Sequence, residues 1–350
     1  VKSLCFLLIA AVPSILAQNV IVLDVKGIDF QADHVDDLPR MANQIQIHDG
    51  LLYLRNDRDP KIYIATPEGQ IVDTIGHGGQ GPGEFNERIN TFGVYQDRVF
   101  ALSRKRQFKI FAFDQGNFSH DFEVSFYRFC APAYAVQRMA VSDRFAILPA
   151  HPKSGHLAMA YDRDGQGHPF GKQLFDPKDG DMLATNPCIN QVLWVTGEDS
   201  IFGVFKYLPI VEEYDLDLNF KRSFSLSNPR LTWLQQELEE KDPARFSIPP
   251  SLFSDCQILG NRLFLLASGT LFAIDIPTMA VAQVYAFRGV GEAFAGRENN
   301  DNINFFTFAV ADNGRDLFLG PGNVFNGDLF LATLPAMPDP QAGSGGHQKR

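Results

Sequence analysis

The chain is poor in the residues on which several chemistries depend. It has four cysteines and eight histidines in 350 residues, with no HExxH, no HxH and no spacing typical of a zinc site. No G-x-S-x-G elbow appears, so the common nucleophile turn of hydrolases is not spelled out. There is no long basic run, and the net charge is −10. That excludes the electrostatic footprint of a nucleic-acid binder, and no DNA or RNA partner is expected. The apolar run Leu4 to Val12 is too short to cross a bilayer, which takes about 20 residues, so no stable membrane span is expected.

Apolar residues are plentiful, at 45% of the chain, and 31 of them are phenylalanine. Phe favours strands, and sheets packed face to face need bulky side chains to fill the gap of about 10 Å between them. The start reads as a basic residue, Lys2, an apolar core and Ala17 before Gln18. This is the pattern of a secretory signal peptide at 1–17, and it predicts an exported protein, periplasmic or extracellular. Cys130, Cys188 and Cys256 remain in the mature chain. In an oxidising compartment they allow one disulfide, with Cys130 and Cys188 the preferred pair, or three small buried residues.

The chain repeats itself. A polar turn followed by an apolar strand recurs six times, at 48–54, 95–102, 141–148, 196–205, 259–266 and 311–319. A strand, turn and strand recurs at 62–75, 109–122, 157–170, 211–224 and 271–287, with Thr66, Asp114, Asp162, Asp215 and Asp275 at equivalent turn positions. Such turns favour Asp, Asn and Gly because these accept the angles of a hairpin reversal. Four antiparallel strands per period, six times over, predict an all-β, six-bladed β-propeller at 18–336. The sixth copy lacks a fourth strand, and Asn19 to Val25 is expected to supply it and close the ring. Ser227 to Pro243 breaks the rhythm. Asn228, Pro229 and Leu231, Leu234 and Leu238 at helical spacing predict an inserted helix between blades four and five. Residues 337–350 read as a disordered tail.

The segment from Gly76 to Phe118 resembles an NHL repeat, whose pattern runs from a Gly-Pro-Gly-Glu/Gln-Phe turn, here Gly81 to Phe85, through a short strand to an "FDxxG" hairpin, where this chain reads Phe113-Asp114-Gln115-Gly116. The whole chain is similar to the six-bladed propellers exported by Bacteroidetes and related bacteria. The resemblance implies fold and export, and it implies little about chemistry. The chain departs from the NHL pattern at Asn56 and Leu102, where an Asp is common, and at Lys61 and Gln107, where an Arg is common.

Gly76 to Gly81 has the spacing of a dinucleotide fingerprint, but Pro82 and a strand follow where a phosphate site needs a helix N-terminus. The glycines are instead expected to form a joint between blades one and two, with Phe85 wedged as an anchor. Asp162 to Gly167 hints at a calcium loop, yet it aligns with hairpin turns elsewhere. Asn43, Asn90, Asn190, Asp255 and Asn304 stand near the starts of the inner strands. Either they form a ring at the channel that holds a polar ligand, or each caps its own strand. The leading expectation is a monomeric, non-enzymatic binding propeller that holds a peptide, glycan or protein partner and needs no cofactor. The rival is a metal-dependent lactonase or lyase with a Ca²⁺-like ion on the axis and His151 as base.

Overall fold

The computed structural model describes residues 20–31, 42–56, 59–81, 83–103, 107–112, 118–123, 138–150, 154–175, 189–239, 251–288, 305–321 and 329–336. The expected leader and tail, Cys130, Cys188, His151, Asp114 and Asn304 lie outside the described residues.

The chain folds as a six-bladed propeller. β1 (Val20–Ile28) precedes the blades. Blade one comprises β2 (Gln44–His48), β3 (Leu51–Arg55), β4 (Ile62–Ala65) and β5 (Ile71–Ile75). The short strands β6 (His77–Gly78) and β7 (Glu84–Phe85) lead to blade two, built of β8 (Ile89–Tyr95), β9 (Arg98–Ser103), β10 (Gln107–Ala112) and β11 (Phe118–Glu123). Blade three holds β12 (Ala140–Val141), β13 (Ala146–Pro149), β14 (His156–Tyr161) and β15 (Gly167–Lys172). Blade four holds β16 (Val192–Thr196), β17 (Ile201–Phe205), β18 (Ile210–Tyr214) and β19 (Phe220–Ser225). The helix α1 (Pro229–Glu239) follows. Blade five is β20 (Asp255–Leu259), β21 (Arg262–Ala267), β22 (Thr270–Asp275) and β23 (Ala280–Arg288). Blade six is β24 (Phe305–Val310), β25 (Asp316–Pro321), β26 (Leu329–Thr333) and then β1.

Burial explains the sequence of each strand. The second strands are covered on both faces by neighbouring blades, so β21 is buried throughout and reads RLFLLA, while the outer β19 is mostly exposed and reads FKRSFS. The hairpin turns use the expected residues. Asp162 Oδ1 accepts from the amides of Asp164 (3.0 Å) and Gln166 (2.8 Å), and Asp215 Oδ1 does the same for Asp217 and Asn219. The carboxylate of Asp162 is thus committed to its turn, with its second oxygen 2.9 Å from His168 Nε2.

The inner strands β2, β8, β12, β16, β20 and β24 contact one another in a closed cycle. β1 completes the outer wall in two halves. Val25–Ile28 pair antiparallel with β26 of blade six, so the N-terminal strand closes that blade as expected, but with residues that follow the expected Asn19 to Val25, of which only Val25 takes part. Val20–Asp24 pair parallel with β23 of blade five, tied by Arg288 to Asp24 at 2.8 and 3.1 Å. One strand therefore covers part of two outer edges that would otherwise offer unpaired backbone.

The glycine stretch is a joint. Phe85 is fully buried among Tyr53, Ile62 and Ile64 of blade one and Ile89, Phe92, Val99 and Phe111 of blade two. Gly76 has φ +78, and a Cβ there would lie 2.7 Å from the Phe85 ring. Glu84 closes the loop, accepting from Gly81 N at 2.6 Å and meeting His77 Nε2 at 2.9 Å. Those contacts hold its carboxyl below the usual range, the Gly81 amide most of all. In the helix, Asn228 Oδ1 accepts from Arg230 N at 2.9 Å, an N-cap with proline at the first helical position. Leu231 and Leu234 sink into the core shared by blades four and five.

Candidate functional site at the channel mouth

The two ends of the ring differ. Among the described residues, one end carries tight reversals, at 49–50, 96–97, 260–261, 66–70, 162–166 and 215–219. The chain leaves each outer strand at the other end, after Ile75, Glu123, Lys172, Ser225 and Arg288, and enters the next inner strand there, at Ile89, Ala140, Val192, Asp255 and Phe305. Each inner strand begins at this connection-bearing end, so its first residues surround the channel mouth.

Arg138 stands just before β12 and is 6% exposed. Its Nη2 donates to the carbonyls of Ile45 in blade one (2.7 Å) and Phe308 in blade six (3.2 Å). Its Nε lies 3.0 Å from Asp255 Oδ1 of blade five, a contact of charges and not an aligned hydrogen bond. In a ring of six, blade six faces blade three, so a side chain joining them crosses the axis.

Asp255 is fully buried. Oδ2 accepts from Thr307 Oγ1 (2.7 Å) and Phe308 N (3.1 Å), and Oδ1 from Cys256 N (2.8 Å). Burial pushes its carboxyl up from the ordinary range, against the pull of the Arg138 guanidinium, the Thr307 hydroxyl and the two amides. Both oxygens are spent. They do not fit a divalent ion, which would have to displace the guanidinium and the donors already in place.

The arrangement is repeated at the junction of blades one and two with a neutral amide. Gln44 Oε1 accepts from Thr91 Oγ1 and Phe92 N, both at 3.2 Å, and Gln44 Nε2 donates to Phe92 O at 2.6 Å. Two residues on, Gln46 accepts from Val94 N (2.9 Å), as Gln257 accepts from Val310 N (2.7 Å). Side chains of one inner strand thereby satisfy the free backbone edge of the next. The signal was in the sequence, as Thr91-Phe92-Gly93-Val94 and Thr307-Phe308-Ala309-Val310, alongside Gln44-x-Gln46 and Asp255-x-Gln257.

The residues expected near the channel are placed as follows. Asp255 opens β20 and belongs to the axial network. Asn43 is buried immediately before β2, its backbone N–H donating to Arg55 O at 2.7 Å. Asn90 lies inside β8, half-buried. Asn190 precedes β16, and its side chain bonds the backbone of Phe175, donating to O at 2.9 Å and accepting from N at 3.2 Å. Sequence reasoning missed Arg138, Gln44, Thr91 and Thr307.

A family described as a 6-bladed beta-propeller matches residues 36–140, blades one and two and the entry to blade three. Among solved structures, the chain is similar to a protein of Bacteroides fragilis NCTC 9343 inferred to be exported, with TM-score 0.56 and 12% identity over 90% of this chain and 96% of that one. It is also similar to Myxococcus xanthus glutaminyl cyclase (TM-score 0.45, 10% identity, 90% and 100% covered) and to the Pan2 WD40 domain of Neurospora crassa (TM-score 0.44, 9% identity, 85% and 76% covered). No curated protein matches. At 12% identity the first likeness is one of fold. Among the described residues, no helix is long and apolar enough to cross a membrane.

Proposed function

We propose that the chain is an exported, non-enzymatic binding propeller, which holds a peptide, glycan or protein partner at the mouth of its connection-bearing face. The observation that carries this reading is the asymmetry of the two ends: the ring makes every passage from blade to blade around one mouth and tight reversals at the other, the arrangement by which scaffolds display recognition loops. The lactonase or lyase reading needs an ion on the axis. Arg138 already supplies the positive charge beside Asp255, which favours the binding reading.

A photo-crosslinking residue placed at Lys61 or Leu174, near the connection-bearing end, and at Asp97 or Asp217, in the opposite turns, tests this on exported proteins and glycans of the source cell. Crosslinks are expected only from the first pair. Crosslinks confined to the second pair would overturn the reading. A calcium-dependent rise in melting temperature with stoichiometric bound metal would favour the lactonase or lyase instead.

A further inference from the structure

The guanidinium of Arg138 has five N–H donors. Nη2 serves the carbonyls of Ile45 and Phe308, and Nε faces Asp255. Nη1 makes no hydrogen bond among the described residues. Among the described residues, a charged nitrogen with two unused donors thus stands between the inner strands, on a side chain only 6% exposed.

We infer that Arg138 Nη1 anchors a carboxylate of the bound partner, inserted end-on through the connection-bearing mouth. The inference rests on the binding reading and names the group recognised there. A guanidinium stays charged at any working pH and sits here in surroundings that screen charge poorly, so a hydrogen bond to an anionic oxygen is strong. The ligand is a monoanion. Only one nitrogen is free, and the buried Asp255 in the same network repels a second negative charge, which disfavours a phosphate dianion. The side chain that carries the anchor is nearly buried, so the group that reaches it is the end of a chain or a side group. The C-terminal carboxylate of a peptide and the carboxylate of an acidic sugar share this chemistry.

Calorimetric titration of the whole protein decides the matter. The probes are a tripeptide with a free C terminus, the same tripeptide amide, D-galacturonate, D-galactose and inorganic phosphate. One of the two acids is expected to bind at least tenfold more tightly than its neutral counterpart, and which one does so identifies the source of the carboxylate. Asp255→Asn removes the competing anion and keeps one of its two accepting oxygens, so the folded variant should bind the acid several-fold more tightly. Arg138→Gln should abolish the preference for acid over neutral form. If either variant does not fold, the wild-type acid and neutral pairs still carry the test. Equal binding of acid and neutral forms, tighter binding of phosphate, no binding of either acid, or weakened binding in Asp255→Asn would overturn the inference. A partner that crosslinks at the connection-bearing face yet competes with neither acid would leave the binding propeller standing and remove Arg138 as its anchor.

Discussion

The arc of blades five, six, one and two and the arc of blades three and four close the same ring by different means. In the first, polar side chains read the backbone of the next inner strand. Asp255 and Gln257 do so across the five–six junction, and Gln44 and Gln46 across the one–two junction. In the second, Phe170, Trp194 and Tyr214 stack at 4.9 to 5.7 Å between ring centroids. Gly203 makes room for the indole, since a Cβ there would lie 2.8 Å from Trp194 Cζ3. Here β12 offers only Ala140 and Val141, which have no group able to bond a neighbour's backbone. Directional bonds fix register, whereas aromatic packing supplies area and tolerates small shifts. Arg138 belongs to the second arc and bonds the first, so it joins the two.

The largest effects should come from breaking each arc at its centre. Asp255→Ala leaves Arg138 charged and buried, and it should cost about 3–5 kcal/mol. Trp194→Ala should cost a similar amount, about 3–5 kcal/mol, through the cavity it opens. The arcs differ in how they can be repaired. Replacing both axial partners, Arg138→Met with Asp255→Leu, removes the stranded charge and should recover much of the loss. Denaturant unfolding of the single and double variants measures this. A double variant as unstable as Asp255→Ala would mean that the polar arc depends on its hydrogen bonds and not on charge compensation.

A smaller effect is expected at the joint between blades one and two. Gly76→Val forces a β-branched residue to φ +78 and drives its Cβ to within 2.7 Å of the Phe85 ring. It should cost about 2 kcal/mol, within the usual range for such strain. Gly81 lacks the positive φ that Gly76 and Gly83 show, so Gly81→Val should be milder. A drop in melting temperature larger for Gly81→Val than for Gly76→Val would contradict the joint as described.

The blades were legible in the sequence because their turns need special backbone angles, and only a few residues accept them. Asp162 and Asp215 announce their hairpins, and Asn228 with Pro229 announces α1. The missing strand of blade six was legible from its absence, although the division of β1 between two blades was not. The axis was hidden because its contacts are long-range: Arg138 reaches carbonyls 93 and 170 residues away in sequence. Counting back from the polar turns also misled, since β8 and β24 each shift register near their start, between Ile89 and Thr91 and between Phe305 and Thr307. An extra residue moves every side chain before it to the other face. Asn90 is the residue skipped in blade two, and its counterpart in blade six is Phe306, not Asn304. The threonines beyond each bulge are the equivalent pair, and they carry the bonds.

The smallest effect concerns a turn on the opposite face, where blades two and five, one from each end of the polar arc, can be compared directly. The reversals Gln96-Asp97-Arg98 and Gly260-Asn261-Arg262 align, and their first residues have φ +52 and +54. Blade five places glycine at this left-handed position, and blade two places an exposed glutamine. An L-residue there costs about 1–2 kcal/mol relative to a right-handed conformation. Glycine avoids that strain but has more freedom to lose from the unfolded chain, about 0.4–1 kcal/mol. The strain is the larger of the two, so Gln96→Gly should stabilise the protein by about 0.5 kcal/mol. The reverse exchange, Gly260→Gln, should destabilise it by a similar amount. Thermal unfolding of both variants checks the signs, and two shifts in the same direction would show that the turns are not equivalent.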